Sequence, residues 1–143
     1  MSSQEECEAD DGLFVGGESD VIYRFPIDED GNPGAAVAWG TIPVDEAGGI
    51  GDLGPYIDGL GVDACGNVYV AEVATDALYR IPAEGGEGEV LIDWGFDDYG
   101  HGLEWGSGID GWDPLSLYLP QPYDDHTVVQ VEIGVPAKPM PYP

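Results

Sequence analysis

Short apolar runs alternate along this chain with clusters of glycine, proline, aspartate and asparagine. Within the runs, apolar and polar positions alternate with a period of two, which is typical of strands that bury one face. No segment combines helical periodicity with capping residues. The pattern predicts an all-β chain of ten strands, in groups of three, four and three, at 13–16, 20–26, 35–40, 58–62, 67–73, 77–81, 89–94, 103–106, 115–119 and 127–133.

The strand segments also repeat. Val21-Ile-Tyr-Arg-Phe-Pro matches Ala77-Leu-Tyr-Arg-Ile-Pro, Asn67-Val-Tyr-Val matches Ser116-Leu-Tyr-Leu, and Asp58-Gly-Leu matches His101-Gly-Leu. The matching segments lie 43 to 56 residues apart, close to the repeat length of a β-propeller blade. We therefore predict blades at about 1–54, 55–97 and 98–143, with 1–11 a flexible acidic arm.

The strand count predicts an incomplete propeller. One complete four-stranded blade is flanked by two incomplete ones, whereas a ring of six blades needs about 24 strands. Two explanations follow from this count. Either blades that precede this segment are missing, or the chain is a protomer that closes with copies of itself as a homo-oligomer. Two copies would supply about 20 strands, so the count favours missing blades.

The net charge limits the classes of partner that this chain is expected to bind. Lys and Arg total 3 and Asp and Glu total 29, a formal net charge of −26. Such a chain repels phosphate backbones and anionic lipid surfaces, so we expect neither nucleic-acid binding nor membrane insertion. Adaptation to high salt, binding of divalent cations, or the solubility of a secreted protein would each account for the acidity.

The two cysteines, Cys7 and Cys65, fit one disulfide in an oxidising compartment or two unpaired thiols. No stretch is long and apolar enough to span a membrane. The first residues lack the positive and apolar regions of a signal peptide. We expect a secreted or periplasmic protein whose signal lies outside this chain.

Two residues at blade starts are candidates for chemistry. The start of an inner strand faces the central channel of a propeller, where Asp58 would offer carboxylate oxygens to a hard cation or cap the loop through backbone N–H groups. His101 holds the equivalent place in the next blade, where it would act as a ligand or a base, or form part of the channel wall. Tyr56 and Tyr99, each two residues earlier, are expected to line the same mouth.

A second acidic segment, Asp28-Glu-Asp-Gly-Asn32, has part of the composition of a calcium loop. An EF-hand loop needs alternating oxygen ligands, a terminal bidentate Glu and flanking helices, none of which follows here. We interpret this segment as a hairpin turn.

These stretches resemble one family. The segment Ile57-Asp-Gly-Leu-Gly-Val-Asp-Ala-Cys-Gly-Asn-Val-Tyr-Val-Ala71 resembles the hallmark of the gluconolactonase and regucalcin (senescence-marker-protein) family of six-bladed propellers. Residues 21–31 resemble the strand and turn that precede the hallmark, and 131–141 resemble the terminal strand and its Gly-Val-Pro ending. The resemblance covers 13–141. Propellers of the NHL-repeat class share the Asp-Gly…Gly-Asn-x-Tyr-Val part of the pattern.

The resemblance implies one calcium ion at the channel mouth, where the family hydrolyses sugar lactones or related esters. Asp58 holds the position of a metal ligand and general base in the family. The family's other ligands are a Glu and two Asn on earlier blades and have no counterpart here. Ile57 stands where the family has proline.

The sequence therefore predicts that this chain is a segment of a secreted, calcium-dependent lactone or ester hydrolase, and that the chain alone is inactive. Catalysis would rest on Asp58 and His101, with Asp58 also the metal ligand, and the substrate would be a small lactone, ester or sugar-derived molecule. The alternatives are a non-catalytic secreted propeller that binds a ligand or partner protein, and a propeller piece that self-assembles.

Overall fold

The computed structural model describes Cys7, Ala9 and residues 12–44, 54–94, 101–122 and 126–139. The described residues form eleven strands and no helix: β1 (Gly12–Val15), β2 (Val21–Pro26), β3 (Val37–Thr41), β4 (Ile57–Val62), β5 (Val68–Glu72), β6 (Ala77–Ile81), β7 (Gly86–Glu87), β8 (Glu89–Asp93), β9 (Glu104–Trp105), β10 (Ser116–Gln121) and β11 (Thr127–Glu132). Accordingly, nothing in these ranges could cross a bilayer as a helix.

The strands form three sheets in chain order. The first has the order β1-β2-β3-β7, the second β4-β5-β6-β8 and the third β11-β10-β9. Pairing within them is antiparallel, except that β3 and β7 run parallel. The fold is therefore an incomplete β-propeller: four-stranded and three-stranded blades that do not close into a ring. The ten predicted strands are all present within a few residues of their predicted limits.

The eleventh strand, β7, was not predicted. The sequence pattern predicts no strand between the segments 77–81 and 89–94, but Gly86 and Glu87 pair with the outer edge of the first sheet. Gly85 has a positive φ of 81°, and a Cβ placed on it would lie 2.5 Å from the carbonyl oxygen of Trp39. This close approach between two blades requires glycine, and it depends on a long-range contact that local sequence does not reveal.

Two apolar layers hold the blades together. Between the first and second sheets lies a cluster of buried residues that includes Ile22, Val70 and Ile81. Between the second and third sheets lies a cluster that includes Leu78 and Leu117. The second sheet is thus covered on both faces, and every residue of β5 is buried.

Glycines let the inner strands come close. A Cβ on Gly59 of β4 would lie 2.7 Å from the Cα of Gly102, and one on Gly61 would lie 2.6 Å from the ring of Trp105. Because neither glycine carries a side chain, the start of β4 and the segment before β9 lie against each other. This contact places the candidate site.

Candidate functional site

Asp58 and His101 meet where these two inner segments touch. Asp58 is the extra residue at a register shift between Ile57 and Gly59 in the pairing of β4 with β5, and such bulges redirect side chains. His101 is fixed by its backbone N–H, which donates to the carbonyl of Pro120 (3.1 Å). The result is a direct contact between Asp58 Oδ2 and His101 Nδ1.

The pair is partly open to solvent. The side chain of Asp58 is 30% exposed and that of His101 is 33% exposed, while His101 Nε2 is buried. A carboxylate on one nitrogen of an imidazole fixes the ring's orientation. The structure therefore brings together the two residues that the repeats had predicted to be equivalent, and among the described residues the partner of Asp58 is a side chain.

Tyr56 lies directly before β4 with a largely exposed side chain. Its N–H donates to Glu72 Oε1 (2.9 Å), and its carbonyl accepts the N–H of Val73 (2.9 Å). These bonds fix the residue two positions before Asp58, at the same end of β4. The other predicted channel residue, Tyr99, lies outside the described residues.

Glu72 is a supporting residue that sequence reasoning missed. Its carboxylate is 1% exposed and accepts the N–H groups of Tyr56, Ala74 (2.7 Å) and Thr75 (2.8 Å), as well as the Thr75 hydroxyl. It therefore ties the β5–β6 turn to the start of β4. The available signal was an acidic residue that ends the otherwise apolar run Val-Tyr-Val-Ala, with Gln121 at the matching place of the third blade.

The acidic segment 28–32 is a hairpin turn, as interpreted from the sequence. Asp28 Oδ1 accepts the N–H groups of Asp30 (3.0 Å) and Asn32 (2.8 Å), and Gly31 has a φ of 83°. The bond from the Asn32 backbone is the main cause that lowers the pKa of Asp28, although the group is exposed. These oxygens stabilise the turn.

A metal site needs several donor side chains that converge on one point. In the described ranges, no three His, Cys, Asp or Glu side chains converge closely enough to hold a cation. Asp58 supplies two oxygens, one of which contacts His101, whereas calcium takes six to eight oxygen ligands. The described side chains alone do not fit a calcium ion.

A disulfide joins Cys7 to Cys65, with the Cα atoms 4.4 Å apart. Beside it lies a cavity of about 300 Å³ between the first two blades, lined by residues that include Phe14, Arg24 and Trp39. Val62 and Cys65 also line it, so it opens near the end of β4 opposite to Asp58. This cavity is separate from the Asp58–His101 pair.

Comparison with known proteins finds similarity at the level of structure. No protein-family model matches the chain, and no curated protein matches it. Among solved structures, the chain is similar to selenomethionine-substituted virginiamycin B lyase from Staphylococcus aureus, with a TM-score of 0.47 and 18% sequence identity. The match covers 88% of this chain and 39% of that one, so the chain spans well under half of the protein that it resembles.

Proposed function

We propose that this chain is the site-bearing part of a propeller hydrolase that acts on lactones or related esters. The observation that carries the proposal is the contact between Asp58 and His101 at the meeting point of two inner strands. Propellers place ligand sites around the ends of their inner strands. A carboxylate held beside an imidazole in a partly open site is suited to move a proton to or from water.

The solvent exposure of Asp58 and His101 indicates a role for each residue. His101 Nε2 is buried, whereas the Asp58 carboxylate remains partly exposed. We therefore assign Asp58 as the base that accepts a proton from the attacking water, and His101 as the residue that positions the carboxylate. Tyr56, largely exposed at the same end of β4, would pack against the substrate.

Calcium remains a proposal that depends on residues beyond those described. In the family that the sequence resembles, the ion sits at the channel mouth, yet the described residues offer one carboxylate there. Additional blades, or a second chain, would have to supply the other ligands. A calcium titration by calorimetry in moderate salt tests this: one site tighter than about millimolar supports an assembled site, and weak multi-site binding contradicts it.

The activity test measures hydrolysis of a panel of lactones and aryl esters, with calcium and with a chelator. We expect Asp58→Asn to lower kcat by about 10²- to 10⁴-fold, the usual contribution of a general base. His101→Gln should lower kcat less and change the pH profile, while the matched control His126→Asn should leave both unchanged. Equal turnover in Asp58→Asn, or absence of turnover across the panel once additional blades or a second chain supply the other ligands, contradicts the hydrolase proposal.

A secreted or periplasmic location is part of the proposal, and the Cys7–Cys65 disulfide supports it because such bonds persist in oxidising compartments. Two titratable thiols in protein taken from its native cells under alkylating conditions would contradict that location.

The second candidate is a non-catalytic propeller that binds a small sugar-derived ligand. The lack of converging donors favours it, because no three His, Cys, Asp or Glu side chains of the described residues meet at this site. This candidate predicts saturable thermal stabilisation by a ligand, without turnover, that is lost in Tyr56→Ala. Ligand-dependent stabilisation that survives Tyr56→Ala would contradict it.

A further inference from the structure

The blades are structurally equivalent position by position. Leu13 pairs with Phe25 in the first blade, as Val68 pairs with Ile81 in the second and Leu117 with Val131 in the third. Each blade therefore has a rear face, turned to the preceding blade, and a front face, turned to the following one. In the second blade, the rear face packs on the first sheet and the front face packs on the third.

The rear face of the first blade is uncovered. It comprises Leu13, Val15, Tyr23 and Phe25, of which the first three are 55%, 42% and 43% exposed. Their counterparts in the second blade, Val68, Val70, Tyr79 and Ile81, are at most 3% exposed because the first blade covers them. The first blade thus presents an apolar, uncharged surface of the type that is buried elsewhere in this molecule.

The front face of the third blade is uncovered in the same way. Its residues are Tyr118, Pro120, Val128 and Gln130, with Val128 54% exposed. The counterparts Tyr69, Ala71 and Leu78 in the second blade are nearly inaccessible. Trp112 packs edge-on against Tyr118 (ring centroids 4.7 Å apart) and adds apolar surface. The chain therefore carries both halves of its own blade-to-blade interface, one at each end.

The side chain of Glu104 restricts which blade can pack on this front face. It pairs with Tyr118, just as Gly61 pairs with Tyr69. At Gly61 a Cβ would lie 2.6 Å from the side chains of Leu103 and Trp105 in the following blade, so a blade that packs on this front face must leave space for the Glu104 side chain. In the first sheet, no strand among the described residues lies inside β1. Among the described residues, that sheet therefore brings no inner-strand side chain against Glu104.

We infer that a second copy of this chain is the partner. The rear face of the first blade in one copy packs on the front face of the third blade in the other. Such a head-to-tail contact forms a ring if the rotation closes. Two copies, each with the eleven described strands, supply six blades, close to the roughly 24 strands of six complete ones. The rear face carries no charged side chain, so no like charge would face Glu104 in this contact. The net charge of −26 per chain still repels a second copy at low salt.

Light scattering coupled to size exclusion tests the inference, on the oxidised full chain from low micromolar to near-millimolar concentration. At about 1 M NaCl, where the screening length is about 3 Å, we expect a particle of twice the 15.1 kDa chain mass. Leu13→Glu and Val128→Glu should each weaken association by about 100-fold or more, because each buries a charge against apolar surface. The control Val90→Glu, 48% exposed on the outer edge of the second blade, should leave it unchanged.

Mixing the two interface variants distinguishes the geometry. One contact between them remains free of both substitutions, so the mixture should form a two-chain particle that neither variant forms alone. Each variant should also melt like the parent monomer, since both residues are exposed in it. A monomer under all conditions overturns the inference and leaves the faces to blades of another polypeptide. Open-ended polymers, or dimers that are sensitive to Leu13→Glu but not to Val128→Glu, overturn it as well. The inference does not depend on the proposed hydrolase activity.

Discussion

Two copies of one turn, Asp-x-x-Gly-Asn, allow the effect of burial to be separated from the effect of hydrogen-bond geometry. Asp28 Oδ1 accepts the N–H groups two and four residues later at 3.0 and 2.8 Å, and Asp63 Oδ1 does the same at 2.9 and 3.0 Å. Asp28 is exposed, whereas Asp63 is fully buried and also accepts the Asn67 side-chain amide and the Tyr69 hydroxyl, both at 2.9 Å. The perturbation is alanine at each aspartate.

We expect Asp28→Ala to lower the free energy of unfolding by about 0.5–1 kcal/mol, because water replaces the lost acceptor at an exposed turn. Asp63→Ala removes the acceptor of four donors, each of which costs about 1–3 kcal/mol if it stays buried and unsatisfied. Some of these donors will find water in the space left by the carboxylate. The expected loss for Asp63→Ala is therefore about 3–5 kcal/mol, several times that for Asp28→Ala.

Urea unfolding at fixed salt, followed by tryptophan fluorescence with the disulfide oxidised, measures both variants against the parent. The slope of free energy against urea should stay constant, so that the midpoint reports stability. Losses for Asp28→Ala and Asp63→Ala that agree within about 1 kcal/mol would refute the reasoning, because they would mean that burial of the turn adds little to its hydrogen bonds.

Three further predictions test other parts of the fold. Burial, with the neighbouring Asp63 carboxylate, raises the pKa of Tyr69 from 10.0 to about 12. The contribution of the neutral Tyr69 to folding stability is therefore complete below pH 10 and should be lost as the pH rises towards 12. A falling urea midpoint and a phenolate absorbance that appears at higher pH than in the unfolded chain would show this loss. Gly59→Ala should lower the melting temperature and reduce the free energy of unfolding by about 1–3 kcal/mol, because the new Cβ would meet the Gly102 backbone. The control Gly17→Ala has open space around its Cβ and should not change the melting temperature. Cys7→Ser removes a bond between residues 58 positions apart and should cost about 4 kcal/mol by chain entropy; an unchanged urea midpoint would contradict this estimate.

The fold was largely predictable because each turn carries its own chemistry. Asp63, Gly66 and Asn67 define one hairpin: the carboxylate accepts local N–H groups, and the glycine adopts a positive φ of 89°. Such signals are local, so the strands they separate can be assigned from sequence. Strand β7 was missed because it exists only where Gly85 meets the backbone of another blade.

The candidate site was predictable only in part. The repeats made Asp58 and His101 equivalent, but equivalence of position did not reveal that the side chains touch. That contact depends on the close approach of Gly59 to Gly102, a property of blade packing. Glu72 was missed for a different reason: a strand pattern gives the burial of a position, not the donors that converge on a charged group there.

The structure also divides the acidic residues by their partners. Asp28, Asp63 and Asp113 each accept N–H groups of their own turns, and the Ser116 hydroxyl is the main cause that lowers the pKa of Asp113. Glu72 does the same for the β5–β6 turn. Asp58 differs, because its partner is an imidazole from the next blade and its carboxylate keeps partial exposure. In so acidic a chain, abundance of carboxylates argues for no site; a carboxylate that meets a titratable side chain at a blade junction does, which is why the activity test is directed at Asp58.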